Sequence, residues 1–241
     1  MTLPQSATAP RQIADLERDG YAAIPAVLEH GDIDRLLLAL NDAGINRAQR
    51  NEAVYGGRNL LGVPAIRHLA SSGTLRGIVE PVVGRDATPV RALFFDKIPG
   101  ANWPVLWHQD LTIAVSERRD LPGWGPWSMK AGIQHVQPPV AILETMLAVR
   151  LHLDDCGPDN GPLRVIRGSH RLGRLRRDQI AKCREKVEEA VCQAQSGAAL
   201  ILRPLLLHAS SPARTPSHRR VIHIEFAPDD VLPPPLVWAR M

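Results

Sequence analysis

The sequence predicts a mainly β domain, a sandwich or barrel with helices at its flank. Residues 90–97, 105–108, 147–153, 163–166, 198–207 and 221–226 form apolar runs of strand length, bounded by Gly, Pro, Asn and Asp. The 241 residues include 18 Gly and 21 Pro, too many breaks for a bundle of long helices. Helical spacing is concentrated before residue 85. With neither an internal repeat nor a domain-scale linker, this gives one domain over 1–241, with a helical flank over 10–85 and a β core over 88–230. At 44% apolar and 22% charged residues, the chain can bury a proper core and is not broadly disordered.

In chain order, Ile13 and Leu16 belong to a short first helix that Gly20 ends. Residues 21–28 read as a strand interrupted by Pro25. Asp32 caps a helix with Ile33, Leu36, Leu37 and Leu40 at helical spacing, and Gly44 ends it. Residues 46–62, polar and glycine-bearing, read as a loop, and 72–83 as another helix. Within the β region, residues 111–146 are a long insert of poor periodicity holding Trp124, Trp127, Lys130 and His135. Its place directly after strand 105–108 marks it as a lid or a substrate-binding loop, with packing of the loop onto the barrel as the alternative. Residues 178–195 read as one helix with Ile180, Val187, Val191 and Ala194 roughly on one side, which puts Cys183 and Cys192 near opposite faces. In 221–226, His223 and Glu225 alternate with Ile222 and Ile224, on the opposite face.

The formal net charge of +4 fits an anionic small molecule and requires no nucleic acid, since no basic stripe with interleaved aromatics runs through the chain. Arg164, Arg167, Arg171, Arg174, Arg176 and Arg177 form a basic stretch that reads as a solvated face or, alternatively, a phosphate contact. Three cysteines, Cys156, Cys183 and Cys192, make no disulfide framework. Residues 1–10 show no basic segment followed by an apolar stretch, and no apolar run is long enough for a membrane span. The expectation is a cytoplasmic protein of unspecified oligomeric state.

The chemistry concentrates in Trp107-His108-Gln109-Asp110. On an extended strand His108 and Asp110 share a face, with Gln109 turned away. An imidazole and a carboxylate so placed are two members of a two-histidine, one-carboxylate triad, which holds iron(II) and leaves three positions open. His208 ends the apolar run 199–207, and Arg219 stands eleven residues later at the start of the next strand. A guanidinium there can grip a carboxylate with two parallel hydrogen bonds.

Together with Asp19-Gly20-Tyr21, the helix at Asp32, Asp159-Asn160-Gly161-Pro162-Leu163 leading into Gly168-Ser169-His170-Arg171, and His208-Ala209-Ser210, these residues make the chain resemble the phytanoyl-CoA dioxygenase family of iron(II)- and 2-oxoglutarate-dependent oxygenases. The resemblance implies a double-stranded β-helix (jelly-roll, cupin-like) core and His108, Asp110 and His208 as iron ligands. It implies Arg219, helped by Ser210, as the anchor of the far carboxylate of 2-oxoglutarate. Dioxygen would be the co-reactant, and succinate, carbon dioxide and a hydroxylated small molecule, polar or anionic, the products. Asp110 stands where related halogenases carry a small residue, which favours hydroxylation.

Lys97 is a further cosubstrate contact or a strand-end lysine facing water. Arg220 competes with Arg219, but adjacent strand residues face opposite ways. Many relatives carry Trp where Arg150 stands; this arginine serves an anionic substrate or the cosubstrate, or pairs with a carboxylate at the core edge. Trp127, Lys130 and His135 are the other substrate candidates. The rival readings are a cupin-type metal binder without 2-oxoglutarate and a nucleic-acid module using the 164–177 arginines.

Overall fold

The structure, a computed structural model, describes residues 9–43, 47–50, 53–99 and 101–239. The expected stop at Gly44 and the first eight residues lie outside them. The chain begins with α1 (Pro10–Asp19), whose end Gly20 takes the left-handed conformation, φ 86°, that favours glycine. β1 (Tyr21–Ile24) follows, then α2 (His30–Asp42). Glu29, not Asp32, is the residue ahead of α2; Asp32 sits three residues further on and accepts from the Glu29 backbone N–H, and the two form a reciprocal capping box.

The stretch read as a loop over 46–62 instead contains β2 (Arg47–Arg50), β3 (Ala53–Gly57) and a short 3-10 turn, Leu60–Gly62. Helices α3 (Pro64–Ala70) and α4 (Gly73–Val83) precede β4 (Ala87–Phe95), β5 (Val105–His108), β6 (Ile113–Val115), β7 (Trp127–Lys130) and β8 (Ile133–Val136). Next come α5 (Val140–Glu144), β9 (Leu147–His152), β10 (Leu163–Ile166), α6 (Arg177–Lys186), β11 (Glu189–Cys192), β12 (Ala199–Leu202), β13 (His208–Ser210) and β14 (Val221–Pro228). The single helix expected over 178–195 is therefore a helix and a strand. Val191 and Cys192 sit opposite Arg164 and Leu163 of β10, and this pairing overrides the helical propensity of the segment.

Two antiparallel layers face each other. One is a seven-stranded sheet in the order β1-β12-β9-β14-β4-β3-β2; the other is β11-β10-β13-β5. This is the jelly-roll arrangement, mainly β with helices on one side. The strand period of two sorts the side chains of the large sheet. Leu147, Val149, Leu151, Ile201, Ile222 and Ile224 turn outward into a core shared with Leu36, Leu40, Ile66 and Ile78 of the helices. Each such burial contributes roughly 1.5–3 kcal/mol. The alternate residues Arg150, His223 and Glu225 therefore turn inward, between the layers, where Leu163, Val165, Leu200 and Leu202 fill one part of the space.

Residues 111–146 are a folded unit. β6, β8 and β7 form a third sheet in that order, and Ile113, Val115, Val136, Leu143 and Met146 share a core with Leu236 and Trp238, against which Trp124 and Trp127 pack. Apolar residues of all three strands are committed to that core, which is the packing that the alternative reading of the insert expects. No helix among the described residues is long and apolar enough to cross a membrane.

Candidate active site

β5 and β13 pair with His108 opposite His208, which places the two imidazoles side by side with ring centroids 4.2 Å apart. His208 does not end the preceding apolar strand; it opens β13, after a turn at 203–207. A register shift between His208 and Ser210 gives β5 one extra residue, so that Val105 and His108 both face the interior. Beyond β5 the Asp110 backbone N–H donates to the Pro204 carbonyl, 2.9 Å. The Asp110 carboxylate then lies 3.8 Å from His108 Nε2 and 3.7 Å from His208 Nε2.

The tautomers suit metal ligation. Each ring has Nδ1 on the carbonyl of the residue two before it, His108 on Leu106 at 2.7 Å and His208 on Leu206 at 2.8 Å. A carbonyl only accepts, so Nδ1 carries the proton and Nε2 offers its lone pair. Burial pushes the His208 pKa down to about 4, against the pull of Asp110, and the ring is neutral at pH 7. Burial would raise the Asp110 carboxyl, but His208, His223 and Arg91 outweigh it and hold the group below the usual carboxylate range. The ligating atoms of His108, Asp110 and His208 all lie within 4.8 Å of one another. Gln109, turned away as the strand period requires, ties loops together by donating to the Gly173 and Leu205 carbonyls at 2.8 and 2.7 Å.

The three residues stand on a cavity of about 250 Å³, also lined by Arg91, Arg150, Ser210, Arg219 and His223. Arg219 is buried, with Nε and one terminal nitrogen lacking any partner among the described residues. Arg150 is buried beside it; its Nε has no partner and its guanidinium carbon lies 5.6 Å from the centre of the Phe95 ring. Burial, and then Arg219, press the Arg150 pKa down to about 9, which still leaves it charged at pH 7. Arg220 points the other way, into an ion pair with Asp154. Lys97 does not face water. It is fully buried behind Arg219 and donates to the Ser211 carbonyl. Burial and the two arginines lower its pKa to about 7.

The insert's residues stay outside the cavity lining. Trp127 lies under Arg118, 5.8 Å from ring centre to guanidinium carbon. Lys130 donates to Thr112 Oγ1 at 3.0 Å, and His135 is buried with Nδ1 3.0 Å from the Ile133 carbonyl. Several arginines of the 164–177 stretch are engaged within the fold: Arg164 with Glu189, Arg171 with the Glu17 carbonyl and Arg174 with the Pro138 carbonyl. Sequence reasoning passed over Arg91, His223 and Glu225. Arg91 pairs with Glu225 at 2.7 Å, and His223 Nε2 lies 3.5 Å from the same carboxylate. The alternation of 221–226 was the available signal.

The model of the phytanoyl-CoA dioxygenase (PhyH) family matches residues 16–221, while no functionally curated protein matches the chain. Among solved structures, AviO1 from Streptomyces viridochromogenes Tue57 is 25% identical with a TM-score of 0.65, the match covering 97% of this chain and 99% of that one. EctD from S. alaskensis, solved with 2-oxoglutarate and 5-hydroxyectoine, is 16% identical with a TM-score of 0.72 over 95% of this chain and 79% of its own. The epimerase SnoN from nogalamycin biosynthesis, in complex with Fe3+, alpha ketoglutarate and nogalamycin RO, is 18% identical with a TM-score of 0.65 over 91% of this chain and 83% of its own. At such identities the last two show a shared fold.

Proposed function

Because the chain belongs to the phytanoyl-CoA dioxygenase family, whose enzymes depend on iron and 2-oxoglutarate, we propose that it hydroxylates an unactivated carbon of a polar or anionic small molecule. His108, Asp110 and His208 would hold iron(II), and Arg219 with Ser210 the far carboxylate of 2-oxoglutarate. One observation carries the reading: a triad of two histidines and a carboxylate shares a cavity with two buried guanidiniums whose nitrogens lack partners among the described residues. The donor set fits the metal, being two imidazoles already in the ligating tautomer and a carboxylate already ionised. When bound, iron with 2-oxoglutarate supplies oxidation of a carbon–hydrogen bond by dioxygen, with succinate and carbon dioxide released.

The chain's own residues do the rest. The Leu106 and Leu206 carbonyls fix the rings. Arg219 and Arg150, desolvated and with guanidinium nitrogens free of partners among the described residues, attract a dianion into the cavity and orient it. Lys97, buried behind them, adds to that field when protonated. A cupin-type metal binder needs no such pair of cations. Anaerobic addition of iron(II) and 2-oxoglutarate should give a visible charge-transfer absorption in the wild type and none in His108→Ala. Stoichiometric iron in His108→Ala would mean that the metal sits elsewhere.

A further inference from the structure

The inward face of β14 carries a polar group that neither metal binding nor cosubstrate binding uses. His223 lines the cavity between Leu93 and Arg150, its partners in register on the two flanking strands. It is 5% exposed, and its Nδ1 is buried without a hydrogen-bond partner among the described residues. Its Nε2 lies 3.5 Å from Glu225 Oε1, the same oxygen that Arg91 approaches at 2.7 Å in an ion pair. Arg91 in turn donates to the Thr112 carbonyl at 3.1 Å.

This chain of contacts favours one tautomer. Glu225 beside a guanidinium is a carboxylate, and a carboxylate only accepts. A hydrogen on Nε2 meets that charge favourably and a lone pair there would oppose it, so the hydrogen belongs on Nε2, and Nδ1 is left as a buried lone pair of a side chain that lines the cavity. A buried acceptor with no donor is unfavourable unless a ligand supplies one. Two other uses of the group fit less well. A second cation held by Asp110, His223 and Glu225, whose donor atoms also lie within 4.8 Å of one another, would sit against the Arg91 guanidinium. An anionic group of a ligand has no proton to offer Nδ1 and would face the Asp110 and Glu225 carboxylates.

We propose that His223 is a specificity residue that accepts a hydrogen bond from a hydroxyl group of the substrate, with Glu225 and Arg91 as positioning residues that set its tautomer. The substrate is then an alcohol or polyol that presents an O–H beside the metal. This rests on His108, Asp110 and His208 being the iron ligands, because that makes the neighbouring wall a substrate wall.

The test uses full-length, metal-free protein labelled with 15N-histidine, with His223 assigned by comparison with His223→Leu. The His223 ring should show a proton on Nε2 and none on Nδ1. Its Nδ1 resonance should move on titration with glycerol or methyl α-D-glucoside and stay fixed with their fully O-methylated counterparts. In the iron- and 2-oxoglutarate-loaded enzyme, any stimulation of succinate release by these hydroxyl compounds should be lost in His223→Leu. It should be retained in His223→Asn, whose amide oxygen stands near the place of Nδ1. A proton on Nδ1, or a resonance indifferent to all hydroxyl compounds, overturns the proposal. So does a second equivalent of bound metal that Glu225→Gln removes. Failure of the parent reading shows separately, as the absence of charge-transfer absorption in the wild type, and leaves the metal-free measurement standing.

Discussion

Arg219 and Arg220 have the same side chain and opposite surroundings. Arg219 is buried in the cavity with unpartnered nitrogens, whereas Arg220 donates twice to the Asp154 carboxylate, Nε at 2.8 Å and a terminal nitrogen at 2.5 Å. Arg219→Ala should raise the KM for 2-oxoglutarate at least about tenfold, the worth of roughly 1.4 kcal/mol, and leave the melting temperature close to wild type. Arg220→Ala should do the reverse, losing about 1.5–3 kcal/mol of charge-assisted hydrogen bonding and several degrees of melting temperature. Thermal melts and 2-oxoglutarate saturation curves on the two variants decide it; a reversed pattern would exchange the two roles. His152 makes a second case. It is fully buried with both ring nitrogens unpartnered among the described residues, and burial, then Arg150 and Arg219, press its pKa from 6.5 to about 3. Between those values the unfolded chain binds a proton that the folded chain refuses. Stability contributed by this residue is therefore complete above about pH 6.5 and falls as pH drops toward 3, by at most about 1.4 kcal/mol per pH unit. Urea midpoints of the metal-free protein between pH 7 and 4 should decline less steeply in His152→Gln; an equal decline would remove His152 as a cause. At this scale the sequence is readable where spacing carries meaning along one extended stretch, as in His108 and Asp110. Arg91, His223 and Glu225 acquire theirs from what faces them across three strands, and register is not written in spacing.

Elements defined by their own periodicity, such as α2 and β14, could be placed from sequence. Those defined by a partner could not. β2 and β3 are short, the second glycine-bearing, and exist as rungs on the edge of the large sheet. β11 follows a charged helix with no turn residue to separate them and is a strand because β10 offers it an edge. The third sheet looked irregular because its three short strands are divided by the turns at 116–126 and 131–132. Its packing predicts that Trp127→Ala lowers the melting temperature, a truncation that costs up to about 3–5 kcal/mol at full burial and less for this half-buried ring. The turn into β12 makes a sharper case. Gly197 has φ 82°, and a Cβ there would lie 2.4 Å from the Leu28 carbonyl oxygen, the same segment whose Val27 and Leu28 N–H groups donate to Gly197. Gly197→Ala should cost more than the roughly 1–2 kcal/mol of left-handed backbone alone, because the close approach also has to open. Equilibrium unfolding in urea measures it, and a variant as stable as wild type would show that the turn can relax.

For the whole molecule, ligand binding and folding are linked. If iron(II) and 2-oxoglutarate bind the folded chain alone, saturating each at about a hundred times its Kd adds roughly 2.7 kcal/mol per ligand. For a domain of this size, melting should rise by about 2–4 °C per kcal/mol. Scanning calorimetry on wild type and His108→Ala checks this, with the iron-dependent rise expected in the first and absent from the second. The two borders of the large sheet also bear on how the chain can be handled. β1 closes one border by pairing all four of its residues with β12, and the Gly20 carbonyl accepts from the Arg203 N–H just beyond it. A chain shortened to begin at residue 30 would keep every residue lining the cavity yet bare the amides and carbonyls of β12 along a flat, wholly apolar strand. Such an edge is a template for a second molecule. The shortened protein should elute from a sizing column as dimers or larger aggregates, and a purification tag is better placed ahead of α1 than in exchange for it.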